Sequence, residues 1–106
     1  MIEVTYRPRG PLLTVKGHAG AGLYGSDPVC AAVSILVYTL AESVQALEQQ
    51  KRLSAATVHL RSGCAVISAR PRRFQGKALT CAFSTVCNGF RLLAGEYPGN
   101  LQFSEK

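Results

Sequence analysis

The sequence lacks the marks of several protein classes. No Cys-x-x-Cys pair occurs: Cys30, Cys64, Cys81 and Cys87 lie 34, 17 and 6 residues apart, a spacing that fits no zinc pattern. No charged stretch leads into an apolar one in Met1–Arg7, so a secretory signal is not expected, and with it goes the usual setting for disulfides. Free thiols in a cytosolic protein are the expectation, most of them acting as small buried hydrophobes. No run approaches the roughly 20 apolar residues of a membrane span. Gly-Lys-Ser/Thr is absent, and Gly20-Ala21-Gly22-Leu23-Tyr24-Gly25, a Gly-x-Gly-x-x-Gly match standing alone, leaves little support for a nucleotide site. Repeats, low-complexity tracts and linkers are absent too, and 106 residues make one domain, 1–106.

Acidic residues are also scarce, six against twelve Lys and Arg, for a net charge of +6. Arg70, Arg72, Arg73 and Lys77 are grouped and the other cations dispersed. Such a surface suits nucleic acid, a ribosome or simple solubility. With no aromatic read among these cations, solubility is favoured and direct nucleic-acid binding is not expected.

What the chain does contain is a clear order of elements. Ile2, Val4 and Tyr6 alternate with polar neighbours as in a strand. Pro8-Arg9-Gly10-Pro11 is a turn, and Leu12–Lys16 reads as a second strand paired with the first. Asp27-Pro28 announces a helix, with Asp27 as N-cap and Pro28 at the first helical position. Val29, Val33, Leu36, Leu40, Val44 and Leu47 form its apolar stripe, widened by Ile35 and Val37. Thr57–Leu60 and Ala65–Ser68 read as strands joined at Ser62-Gly63. Leu79, Phe83, Val86, Phe90 and Leu93 mark a second helix with Gly95 as its C-cap, and Leu101-Gln102-Phe103 suits a short last strand. The order β-β-α-β-β-α, with that final strand, predicts an α+β fold: a two-layer α/β sandwich whose mainly antiparallel sheet is covered by two helices.

The stretch from Gly17 to Ser34 carries the candidate chemistry. It leaves a strand through Gly17-His18, crosses the glycine-rich Gly20, Gly22 and Gly25 with Tyr24 among them, and turns into the helix at Asp27. Cys30 falls in the first helical turn, where partly positive N–H groups favour a thiolate. His18 at the loop's mouth is placed to take the thiol proton and return it to a leaving amine. The first-turn N–H groups, that of Cys30 among them, are candidate oxyanion donors. Ser34 lies one turn beyond Cys30 on the same face. The glycine loop suits a flap over a peptide better than a phosphate cradle. Cys30 and His18 also have plainer readings, as a packing cysteine and an exposed loop histidine, and Asp27 has two candidate jobs, helix cap and orienter of His18, between which the sequence does not choose. His59, inside a strand, is read as structural. A zinc site from His18, Asp27 and Cys30 lacks a fourth ligand and is discounted.

Gly17-His18-Ala19 followed by Gly25-x-Asp27-x-Val29-Cys30-Ala31-Ala32-Val33-Ser34 closely resembles the signature of the ribosomal-processing cysteine proteases called Prp. Gly89-Phe90-Arg91-Leu92-Leu93-Ala94-Gly95-Glu96-Tyr97-Pro98 is similar to that family's second-helix ending, and the likeness runs over essentially the whole chain. It implies a bacterial cytoplasmic endopeptidase without cofactor, homodimeric, that removes the N-terminal extension of large-subunit ribosomal protein number twenty-seven so that ribosome assembly proceeds. It implies a catalytic dyad at His18 and Cys30, with Asp27 and Ser34 in supporting positions. Pro28 departs from the family pattern in a way that strengthens the helix start. The implied substrate segment is rich in lysine, so a basic chain needs a locally acidic groove to meet it. A non-catalytic ribosome- or RNA-binding domain using Arg70 to Lys77 is the alternative from another class. A redox-sensing protein pairing Cys30 with another cysteine is a third.

Overall fold

The structure, a computed structural model, describes residues 1–18, 20 and 27–106. Its elements are β1 (Ile2–Arg7), β2 (Leu12–Lys16), α1 (Pro28–Gln49), β3 (Leu53–Arg61), β4 (Cys64–Pro71), α2 (Gly76–Glu96) and β5 (Leu101–Glu105). The five strands form one sheet in the order β3-β4-β2-β1-β5. Every pairing is antiparallel except β1 with β5, which the crossover through α2 makes parallel. The expected α+β sandwich, last strand included, is the fold observed.

Period-two alternation sends one side of each strand toward the helices. Ile2, Val4 and Tyr6 of β1, Leu13 and Val15 of β2, and Ala65, Ile67 and Ala69 of β4 are buried there. From α1, Val29, Val33, Val37, Leu40, Ala41, Val44 and Leu47 meet them; from α2, Leu79, Phe83, Val86, Cys87 and Phe90 do. The rings of Tyr6 and Phe83 stack with centroids 5.8 Å apart. Among the described residues the opposite sheet face carries no helix; its Lys and Arg side chains and Thr57 are exposed, while Thr5, Thr14 and Ser68 are half-buried.

Four readings need correction. The cysteines are not mostly buried: Cys87 is, but Cys30 is half-buried and Cys64 and Cys81 are exposed, because strand and helix periodicity set these two on outward faces. Gly95 does not cap α2: the helix runs on to Glu96, and Tyr97 closes it by donating its N–H to the Leu93 carbonyl. Ile35 does not widen the buried stripe of α1, because it faces solvent at 62% exposure. And α1, with 22 residues, is long and apolar enough by composition alone to cross a membrane. Its apolar stripe is instead taken up by the sheet and α2, the placement of a core helix.

The two helices are antiparallel, so the sandwich has two distinct ends. At one end lie the start of β1, the ends of β2 and β3, the start of β4 and the N-terminus of α1. At the other lie the 8–11 turn, the 50–52 link, the end of β4 and the start of α2. The molecule measures 44 × 23 × 15 Å.

Candidate active site

At the first of these ends an open cleft of about 810 Å³ is lined by His18, Asp27, Cys30 and Ser34 together with Leu60–Ala65. Local sequence builds one wall. Asp27 has extended backbone, and its Oδ1 accepts from the N–H of Val29 at 2.9 Å and of Cys30 at 3.0 Å. Its carbonyl accepts from Ala31 at 3.1 Å. Asp27 is thus the expected N-cap and is itself buried, 8% exposed. Cys30 is half-buried, at the edge of the apolar stripe that begins at Val29. Ser34, one turn on, faces the same cleft.

These bonds overturn one expectation. The N–H groups of Val29, Cys30 and Ala31 are all taken by Asp27, and Pro28 has none. The first turn of α1 therefore has no donor left for an oxyanion, Cys30 included.

Tertiary pairing builds the other wall. β2 and β4 bring Lys16 opposite Cys64, and just beyond them the Gly17 N–H donates to the Gly63 carbonyl at 2.9 Å. Gly17 adopts φ +99°, and a Cβ there would overlap the Met1 carbonyl oxygen, so the turn that aims His18 needs glycine. The carbonyl of His18 accepts from the Met1 amine at 2.7 Å. Its imidazole rests on Gly63, where an added Cβ would stand 2.9 Å from Nε2. His18 is exposed, so the plain description of a surface histidine is accurate for its accessibility, but the side chain is seated against a specific neighbour.

Sequence alone marks Gly63 and its turn only as a hairpin connection; their part in seating His18 comes from a pairing far apart in sequence. Gly20 lines the cleft. Gly22, Tyr24 and Gly25 of the expected substrate loop lie outside the described residues. His59 sits in β3 on the open sheet face, opposite Val66 and away from the cleft. Among the described residues no group of His, Cys, Asp and Glu is arranged to hold a metal. Cys64 also lines the cleft, but strand alternation sets it on the face opposite Ala65, away from α1.

Charge is divided between the two ends. Of the twelve cations only Lys16 and Arg61 lie at the cleft end, beside Glu3, Asp27 and Glu96; Arg91 lies midway, paired with Glu105 at 2.7 Å. The other nine stand at the far end. A basic chain thus presents a cleft end that is not basic.

A thiol at a helix mouth and an imidazole on a strand end, facing one cleft, are the parts of a hydrolase that uses a cysteine nucleophile. Comparison gives the same class and a family: the model of the cysteine protease Prp matches residues 1–102, and the chain belongs to that family. No curated protein matches it. Among solved structures, the essential ribosomal processing protease Prp from S. aureus with a covalently linked product peptide is similar over 100% of both chains, with TM-score 0.79 and 21% identity. The same protease with a substrate peptide gives TM-score 0.73 at 21% identity, again over 100% of both chains. SMU.848 from Streptococcus mutans is 27% identical with TM-score 0.69, covering 99% of this chain and 93% of that one.

Proposed function

We propose that Cys30 is the nucleophile and His18 the general base of this cysteine protease. The imidazole takes the thiol proton, and sulfur bonds to a peptide carbonyl carbon. As the C–N bond breaks, the imidazolium returns the proton to the leaving amine, and water then hydrolyses the thioester. Asp27 holds the helix mouth on which Cys30 stands, and Ser34 lines the floor beside it. The glycine-rich segment, of which Gly20 lines the cleft, serves as the substrate flap. The observation that carries this reading is that one cleft is lined by both residues, although they come from separate elements.

The substrate we propose is the N-terminal extension of a large-subunit ribosomal protein, cleaved in the bacterial cytoplasm. The family match, and the similarity to a ribosomal processing protease bound to peptides, support it. So does the charge pattern, since a lysine-rich segment meets a cleft end where acidic residues balance the cations. We also propose a homodimer, which would bury the exposed Ile35 and Leu92 on the outer side of the helix layer.

Incubation with the extended precursor tests the reading. Wild type should cut once, and both Cys30→Ala and His18→Ala should abolish cleavage. Cleavage that survives either substitution refutes the dyad, and a wild type inert on the precursor refutes the substrate. Sedimentation of the wild type and of Ile35→Asp tests the dimer, which should dissociate in the variant.

A further inference from the structure

We infer that the end of the molecule opposite the cleft binds single-stranded RNA. The observations are independent of the protease chemistry. Nine of the twelve cations gather there, and among the described residues the single ion pair, Arg91–Glu105, uses none of them. Three, Arg7, Arg9 and Arg70, line one shallow cleft of about 390 Å³ together with the hydroxyl-bearing Thr57 and Ser68. Register explains the convergence: Arg7 is paired with Leu12, Leu12 with Ser68 and Ser68 with Thr57, all on the sheet face without a helix. Guanidinium and hydroxyl donors in one groove are suited to phosphate oxygens.

Phe74, at the same end of the molecule though outside that cleft, turns this from a general anion surface into one for nucleic acid with accessible bases. It lies three residues past the end of β4, is 88% exposed, and sits at φ +68°, a conformation that bulky residues rarely adopt. The Arg73 guanidinium lies over its ring at 5.0 Å from the centroid. An exposed ring beside arginines that make no ion pair is the platform on which unpaired bases stack while phosphates track the cations. Duplex RNA keeps its bases inside and gains nothing from such a ring. The expectation that aromatic residues are missing from the Arg70–Lys77 cluster overlooked Phe74.

The geometry also reconciles a basic chain with a lysine-rich substrate. Over the roughly 33 Å of a 22-residue helix, the charge at the RNA end is largely screened from the cleft at physiological salt.

Fluorescence anisotropy with a labelled 12-nucleotide oligouridine, titrated with wild-type protein between 50 and 200 mM salt, tests the inference. If four phosphates are met, log affinity should fall with log salt at a slope of about −3, at about 0.7 per contact. Arg7→Gln/Arg9→Gln/Arg70→Gln should weaken binding at least tenfold and flatten the slope. Phe74→Ala should weaken oligouridine about tenfold but leave heparin, a polyanion without bases, within twofold. Peptidase activity of both variants should match wild type, which shows that they are folded. Absent binding at 50 mM salt, binding undiminished in the triple variant, or a Phe74→Ala protein that holds oligouridine as tightly as before would each overturn it.

Discussion

Replacing Gly63 with alanine sets a methyl carbon 2.9 Å from Nε2 of His18 on a backbone at φ +74°. Two effects follow and can be separated. The left-handed backbone costs an alanine about 1–2 kcal/mol, which lowers the melting temperature of a domain this size by about 4–8 °C per kcal/mol. The imidazole must then retreat by about 0.5–1 Å to reach ordinary contact, since 3.4–4 Å is the normal range for a Cβ. A base displaced by about 1 Å can lower catalysis on the order of a hundredfold. Gly10 is the internal control: it has φ +56° and nothing within 4 Å of an added Cβ. Gly10→Ala therefore carries the backbone strain alone. Both variants should melt lower by similar amounts, while kcat/KM on a precursor peptide, measured well below both transitions, should fall roughly ten- to a hundredfold for Gly63→Ala and stay within twofold for Gly10→Ala. Equal activity in the two variants would refute the seating of His18 on Gly63.

Other perturbations have equally definite outcomes. Asp27→Ala should cost about 1 kcal/mol in urea denaturation and Asp27→Asn only a few tenths, because the amide oxygen still caps α1; a stable Asp27→Asn protein that is inactive would assign the carboxylate a role toward His18 as well. Burial pushes the Cys87 thiol from 9.0 up to about 11, with Glu105 adding to the rise and Arg91 opposing it. The unfolded chain therefore loses this proton first, so stability is complete below pH 9 and falls as pH rises from 9 toward 11, on the order of 2 kcal/mol; Cys87→Ala should flatten that decline in denaturant titrations across pH. Phe83→Ala removes the ring stacked on Tyr6 and should cost about 3–5 kcal/mol, read as a lower urea midpoint.

Local signals were the legible ones. Asp27-Pro28 fixes the start of α1 because both cap and proline act within one turn, and the structure shows the expected bonds. Strand alternation in β1 and β2 and the stripes of both helices located most of the core. Misreadings arose where tertiary context overruled a local preference. Gly95 looked like a stop, yet α2 takes in Gly95 and Glu96 before Tyr97 closes it. Ser54, Ala55 and Ala56 have little strand preference, but β4 draws them into β3, with an irregularity between Leu53 and Ala55. The cleft was half visible: Cys30, Asp27 and Ser34 are spaced on one helix, whereas Gly63 reaches His18 only through the pairing of β2 with β4. The oxyanion role expected of the Cys30 N–H failed because the same cap that makes the helix legible consumes that donor.

The central claim, a nucleophile at Cys30 served by His18, is tested most directly by alkylating the protein in steps and mapping the modified thiols by mass spectrometry while peptidase activity is followed. Loss of activity should track modification of Cys30 one for one, ignore that of the exposed Cys64 and Cys81, and slow markedly in its rate of Cys30 modification when His18 is replaced by alanine. Full activity in a protein whose Cys30 is completely alkylated would contradict it.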